Sequence, residues 1–173
     1  MPLRTAAATN AAMSSDVTVR PARPEDERFL GRLGAMLVEE HHHFDPRRFI
    51  APLPDLAERY GQFLVSRTER EDTLVLVAER AGELVGYAFG GIEGNDYMAL
   101  RGPAGVLYDL VVDPDHRRQG VGTALLDAAL ADLRKLGAPR AILFTAEKNR
   151  VAQVMFDRAD FRRTMVEMTR ELG

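Results

Sequence analysis

The chain contains no cysteine. That excludes disulfides, thiolate metal ligands and a cysteine nucleophile. No apolar run approaches the roughly 20 residues needed to span a bilayer, so no membrane helix is expected. Neither sign of charge dominates: 23 Lys and Arg stand against 26 Asp and Glu, a net charge of −3. A generally basic nucleic-acid surface is therefore not expected, and a nucleic-acid role has no support beyond the pairs Arg117/Arg118 and Arg162/Arg163. Met1 to Ser15 is rich in Ala, Thr and Ser and lacks the apolar core of a signal peptide. The expectation is a disordered tail over 1–15, a cytoplasmic protein, and no membrane or nucleic-acid partner. What remains, 16–173, reads as one domain, and the whole chain is ordinary in composition, with 46% hydrophobic and 28% charged residues. Its length suits one domain with a single core.

Hydrophobic periodicity divides this stretch into alternating elements. Val17 to Arg20 is β-rich. Phe29, Leu30, Leu33, Met36 and Leu37 recur at helical spacing, and Pro46 bounds that helix near His41 to His43. Asp55 is placed to cap a second helix carrying Leu56, Tyr60, Phe63 and Leu64. Thr73 to Ala78 and Leu84 to Phe89 flank Ala81-Gly82-Glu83 and read as a hairpin. Gly90 to Gly105 holds five glycines and reads as a loop. Val106 to Val112 is the strongest strand pattern, stopped by Asp113-Pro114-Asp115. Leu125, Leu126, Ala129, Leu130 and Leu133 form a helical stripe closed by Gly137 and Pro139. Ala141 to Phe144 reads as a buried strand, Asn149 to Ala159 as a short helix, and Thr164 to Leu172 as a final strand. The β-α-β segment 106–144 requires a parallel pair and the hairpin an antiparallel one, so an α/β fold with a mixed sheet is expected.

The stretch from Leu110 to Leu125 carries chemistry. A strand stops at proline, a short basic loop follows, and Gly120-x-Gly122 opens a helix. Unpaired N–H groups and the helix dipole make such a start an anion site. Arg117 and Arg118 add charge. The Gly-x4-Gly-Lys-Ser/Thr phosphate loop is absent. A dinucleotide fingerprint would need glycine where Leu125 stands, and an acid after the next strand. An ordinary strand-loop-helix turn with a glycine cap fits Gly-x-Gly equally well.

The wider context resembles the GNAT superfamily of N-acetyltransferases. Arg117-x-x-Gly120-x-Gly122, preceded by Asp113-Pro114 after an apolar strand, is similar to that family's acetyl-CoA signature. Asn149-x-x-Ala152-x-x-Met155-Phe156, with Phe161, resembles its second block, one strand later. The resemblance runs from about Val17 to Phe161. It implies a mixed central sheet with helices on both faces and two parallel strands splayed at the cofactor. It implies that backbone groups of Leu110, Val111 and Val112 pair with the pantetheine arm of acetyl-CoA. N–H groups of Arg118, Gln119, Gly120, Val121, Gly122 and Thr123 would hold the pyrophosphate beside Arg117. Asn149 and Phe156 would meet the cofactor arm, although Asn149 also reads as a helix cap. The chain departs from the family pattern in three places. Phe156 stands where a tyrosine often protonates the leaving thiolate, Asp160-Phe161 replaces Gly-Phe, and a single strand follows the last helix where two are common. The open edge suggests completion by a second copy, a homodimer.

The resemblance implies transfer of acetyl from acetyl-CoA to a primary amine, on a small molecule or a peptide. Without cysteine, direct attack is the simplest route, and an amine of pKa about 10.4 needs a base. Asp109 and Tyr108, adjacent on the central strand, are the candidates, and simple alternation sends them to opposite faces. For each, a structural role competes: strand-end carboxylate for Asp109, packed ring for Tyr108. Glu39, Glu40 and His43 lie between the first two helices, where the family usually builds its acceptor site. The run His41 to His43 suggests metal, but three adjacent histidines on a helix cannot converge, and no metal is expected. A non-catalytic acyl-CoA-binding module is the alternative reading, weakly favoured by Phe156.

Overall fold

The structure, a computed structural model, describes residues 16–172. The expected tail over 1–15 lies outside the described residues. Five strands, β1 (Val17–Pro21), β2 (Thr73–Arg80), β3 (Glu83–Glu93), β4 (Ala104–Val112) and β5 (Ala141–Leu143), form one sheet in that order. The first four pair antiparallel, and β4 with β5 parallel. Two helices, α1 (Glu27–Phe44) and α2 (Leu56–Arg67), precede β2. Helix α3 (Val121–Lys135) makes the crossover from β4 to β5, and α4 (Arg150–Arg158) follows β5.

Alternation along the strands divides the core into two layers. Leu74, Leu76 and Ala78 of β2 face α3, meeting Val121, Leu125, Leu126, Ala129 and Leu133, all buried. Val75 and Val77 face the other way, onto Leu30, Leu33 and Leu64 of α1 and α2, with Tyr87 and Phe89 of β3. The α1–α2 crossing is close enough to need glycine. A Cβ on Gly31 would lie 2.0 Å from the Ala57 carbonyl, and one on Gly61 2.5 Å from that of Glu27. Arg20 of β1 grips Asp26, just before α1, through two hydrogen bonds of 2.8 and 3.1 Å. Burial alone would raise the Asp26 carboxyl, but Arg20 and the Arg23 N–H outweigh it and hold it below the usual carboxylate range.

Four expectations change. Gly90 to Gly105 is not one loop: β3 runs to Glu93 and β4 starts at Ala104. Gly90 and Gly105 sit in strands because their neighbours leave no room. A Cβ would lie 2.8 Å from the Val106 carbonyl at the first and 3.0 Å from Leu133 at the second. Strand β5 is shorter than expected and only half-buried, with Phe144 exposed, because it is an edge with one neighbour. Asp55 occupies the cap position of α2 without a capping bond, since its carboxylate accepts from Arg59 at 2.9 Å instead. Thr164 to Leu172 forms no strand. Its alternation has no partner strand among the described residues, and Met165, Val166, Met168 and Leu172 stay exposed. The segment is held by ion pairs, Arg163 with Asp157 and Arg48 with Glu167.

Candidate active site

The site begins where β4 loses its parallel partner. Pairing with β5 covers only Gly105, Val106 and Leu107. From Tyr108 to Val112 the edge of β4 on that side bonds no strand among the described residues, so the parallel pairing ends there and the edge is open. On its other side, β4 pairs Asp109 with Phe89 but Leu107 with Gly90. Tyr108 is thus one residue extra, a β-bulge. Leu107 and Leu110 both face the α3 layer. The two residues between them turn the other way, and Tyr108 and Asp109 line one cleft. The expectation that they point to opposite faces fails because the bulge breaks strict alternation.

Asp109 is the only buried acid besides Asp26 among the described residues. Its Oδ2 accepts hydrogen bonds from the Tyr60 hydroxyl at 2.8 Å and the Tyr87 hydroxyl at 3.0 Å. Burial pushes its carboxyl above the ordinary range, and the two hydroxyls only partly offset that. Burial next to this carboxylate also raises both tyrosines, so they stay protonated and donate. Tyr60 reaches Asp109 because its ring lies on Gly34 of α1, where a Cβ would come within 2.2 Å. Tyr87 lies opposite Val111, one diagonal step from Asp109 on the same face. Neither tyrosine was identified from sequence as a site residue. The available signal was that a tyrosine in a buried strand or helix stripe needs a partner for its hydroxyl.

The cleft has a volume of about 440 Å³, and its walls include Tyr60, Phe63, Arg67, Phe89, Tyr108 and Asp109. The Tyr108 ring lies 4.9 Å from that of Phe89. Its hydroxyl donates to Glu93 at 2.7 Å, and burial together with that carboxylate pushes it up to about 12.

At the far end of β4, Gly120 caps α3 with φ 84°, a left-handed conformation that glycine adopts without strain. Arg118 has φ 60°. The first helical bond runs from the Ala124 N–H to the Gly120 carbonyl at 3.0 Å. Before it, no backbone acceptor among the described residues meets the N–H groups of Arg118, Gln119, Gly120, Val121, Gly122 or Thr123. Gly122 brings this turn against Met155 of α4 and Val112 of β4, 3.2 and 3.6 Å from a built Cβ. Arg117 donates to the Val112 carbonyl at 3.1 Å and to Glu40 at 2.6 Å. The Gln119 side chain bonds Arg80 and the Asp115 carbonyl.

Asn149 caps α4, accepting from the Ala152 N–H at 3.2 Å. Phe156 is buried in the α3 layer, edge-on to Phe161 at 5.8 Å. Leu110 and Val112 face that layer, and Val111 the other. Glu39, Glu40 and His43 are not in the cleft walls. Glu39 and His43 are exposed near the end of α1, and Glu40 faces Arg117. His41 and His42 bond the carbonyls of Leu37 and Phe49, so the histidines diverge. No group of three metal-ligating side chains occurs among the described residues.

A mixed sheet whose parallel pairing ends beside a glycine-opened helix defines an α/β fold with an open strand edge next to an anion-suited turn. Residues 33–161 match the model of the acetyltransferase (GNAT) family, and the chain belongs to that family. A mycothiol acetyltransferase of Thermobispora bispora is 38% identical over 96 residues, 53% of this chain and 31% of that protein. An acetyltransferase of Sodalis glossinidius is 30% identical over 95 residues, 55% of this chain and 61% of that protein. The chain thus spans about a third or less of the mycothiol acetyltransferases it first matches. Among solved structures, a protein of Bacillus halodurans superposes with a TM-score of 0.75 at 18% identity, covering 90% of this chain and 99% of that one. An aminoglycoside N-acetyltransferase solved in complex with CoA gives 0.68 at 16% identity, covering 94% and 98%. These structures support the fold alone.

Proposed function

We propose that the chain transfers an acetyl group from acetyl-CoA directly to a primary amine, on a small molecule or a peptide, and that 16–173 act as one acetyltransferase domain. The observation that carries this reading is the continuity of three features along β4. Asp109 is buried just past the end of the parallel pairing, the free edge follows it, and unpaired N–H groups lie beyond its end. These residues fit acetyl-CoA. The free edge offers backbone groups to an amide-bearing arm, as an added strand would. The Arg118 to Thr123 amides, with Arg117, suit a pyrophosphate. The pairing of Arg117 with Val112 and Glu40 is then exchanged for the ligand.

When bound, acetyl-CoA supplies the activated thioester. Asp109 accepts a proton from the attacking ammonium, directly or through water, so that the nitrogen lone pair is free to form the C–N bond. A carboxyl held above its ordinary range is a stronger base than an exposed one. Tyr60 and Tyr87 hold its orientation. The broken C–S bond leaves a thiolate of moderate basicity, pKa about 8.5. Phe156 has no proton to give it, so water, the departing ammonium proton or Tyr108 supplies one. We also carry the homodimer into this reading, supported by the open β5 edge and the exposed apolar residues of 164–172.

The test is release of free CoA from acetyl-CoA over a panel of primary amines. Amine-dependent release supports the enzyme. Acetyl-CoA binding with no release for any amine favours the second reading, a non-catalytic acyl-CoA-binding module, to which the buried, donor-free Phe156 lends support.

A further inference from the structure

We infer that the cleft receives an amine that also carries a carboxylate and an apolar group, an α-amino acid or close analogue, and that Arg67 binds the carboxylate. The inference rests on the acetyl-transfer reading of the same site. Arg67, the last residue of α2, lies in the cleft wall. Its Nε is the one buried side-chain polar atom without a hydrogen-bond partner among the described residues. A buried donor left unpaired is costly, and a ligand oxygen reaching it from the cleft would supply its partner. The neighbouring cations are already matched. Arg70 is paired with Asp72 at 2.8 Å, and Arg101 with Glu93 at 2.6 Å. Arg67 has no carboxylate within ion-pair distance among the described residues, although Asp72 also lines the cleft.

The guanidinium is also fixed in place. Its carbon lies 4.5 Å over the Phe63 ring, a cation–π contact that holds the plane. One edge of a guanidinium presents Nε–H and Nη–H side by side, matching the two oxygens of a carboxylate. Phe63 then links this cation to the base. It meets Tyr60 at 6.1 Å, and the Tyr60 hydroxyl bonds Asp109. Phe63 also meets Phe89 at 5.6 Å, and Phe89 meets Tyr108. Cation and carboxyl therefore stand on either side of one aromatic surface. An acceptor spanning them needs an anion at one end, an ammonium at the other and apolar atoms between.

The experiment uses thermal-shift titrations of the whole chain with two matched pairs. These are phenylalanine against phenethylamine, and 2-aminoethyl phosphate against ethanolamine, each with and without saturating CoA. Wild type, Arg67→Gln and Arg67→Lys are compared. Phenylalanine is expected to bind at least about tenfold more tightly than phenethylamine, the scale of hydrogen bonds to a charged group. Arg67→Gln should bring that pair to within about twofold, and Arg67→Lys should keep part of the preference, because it keeps charge but not the paired N–H edge. Equal binding in wild type, an unaltered preference in Arg67→Gln, or a larger preference for the phosphate overturns the inference. Acetyl-CoA is titrated on the same samples. If it binds while the amine pairs do not differ, this inference fails and acetyl transfer stands. If it does not bind, the acetyl-transfer reading fails. Retained acetyl-CoA binding by Arg67→Gln shows that the variant is folded.

Discussion

In the proposed mechanism Asp109 is the base, and its burial sets opposite signs for activity and stability. Asp109→Asn keeps an oxygen for both tyrosines but removes the base. Turnover should fall about 10²-fold or more, the usual scale of general-base catalysis, with acetyl-CoA affinity little changed. Steady-state kinetics beside a binding titration checks this. Because the folded carboxyl titrates above its unfolded value, the native state holds the extra proton between the two. Wild-type stability should therefore decline as pH rises from the ordinary carboxylate range through the folded value. Asp109→Asn should lack that decline and melt higher than wild type at neutral pH. A variant that melts lower there contradicts the burial argument. Tyr60→Phe removes a hydroxyl that pulls the carboxyl down. It should shift the acid limb of kcat/KM to higher pH while leaving a measurable plateau.

At the scale of elements, the crossing of α1 and α2 positions Tyr60. Gly34→Ala drives a methyl into the Tyr60 ring. It should cost about 1–3 kcal/mol by overpacking. It should also lower turnover, because Tyr60 can no longer reach Asp109. Denaturant unfolding and kinetics on one preparation check both. What was legible in the sequence follows this scale closely. The α3 stripe and the Asp113-Pro114 stop are local patterns, and so is the glycine at Gly120. Each was visible because each is set by neighbours within a few residues. The bulge at Tyr108 was not visible, because it is fixed by the register of β3 against β4 rather than by β4 itself. Alternation over Thr164 to Leu172 suggested a strand, yet a strand also needs a partner edge. Tyr60 and Arg67 come from α2, Tyr87 from β3 and Asp109 from β4, and only the fold brings these elements together.

For the molecule as a whole, the sheet is the shared floor of two layers, and the two ligands proposed here approach it differently. Acetyl-CoA is assigned to the open edge of β4, and the amine to the α1–α2 side, so the end of the parallel pairing is where they meet. The central strand must therefore stay rigid. Leu125→Ala, in the layer beneath it, should cost about 2–5 kcal/mol of stability. Among the described residues, 162–172 contribute surface ion pairs, worth about 0–1 kcal/mol each. If the proposed homodimer uses this segment, removing it should halve the mass measured by light scattering while the CoA site survives. A full-length chain that is already a monomer at working concentration removes the dimer from the account.

The most direct measurement is a thermal-shift titration with acetyl-CoA, NAD and ATP in parallel, on wild type and Gly120→Asp. A ligand at 100 times its Kd that binds only the folded state stabilises it by about 2.7 kcal/mol. Such stabilisation is expected with acetyl-CoA alone, and it should be lost when a carboxylate is placed at the Gly120 turn. No shift with acetyl-CoA, or a larger one with NAD or ATP, contradicts the assignment of the β4 edge and the α3 start to acetyl-CoA.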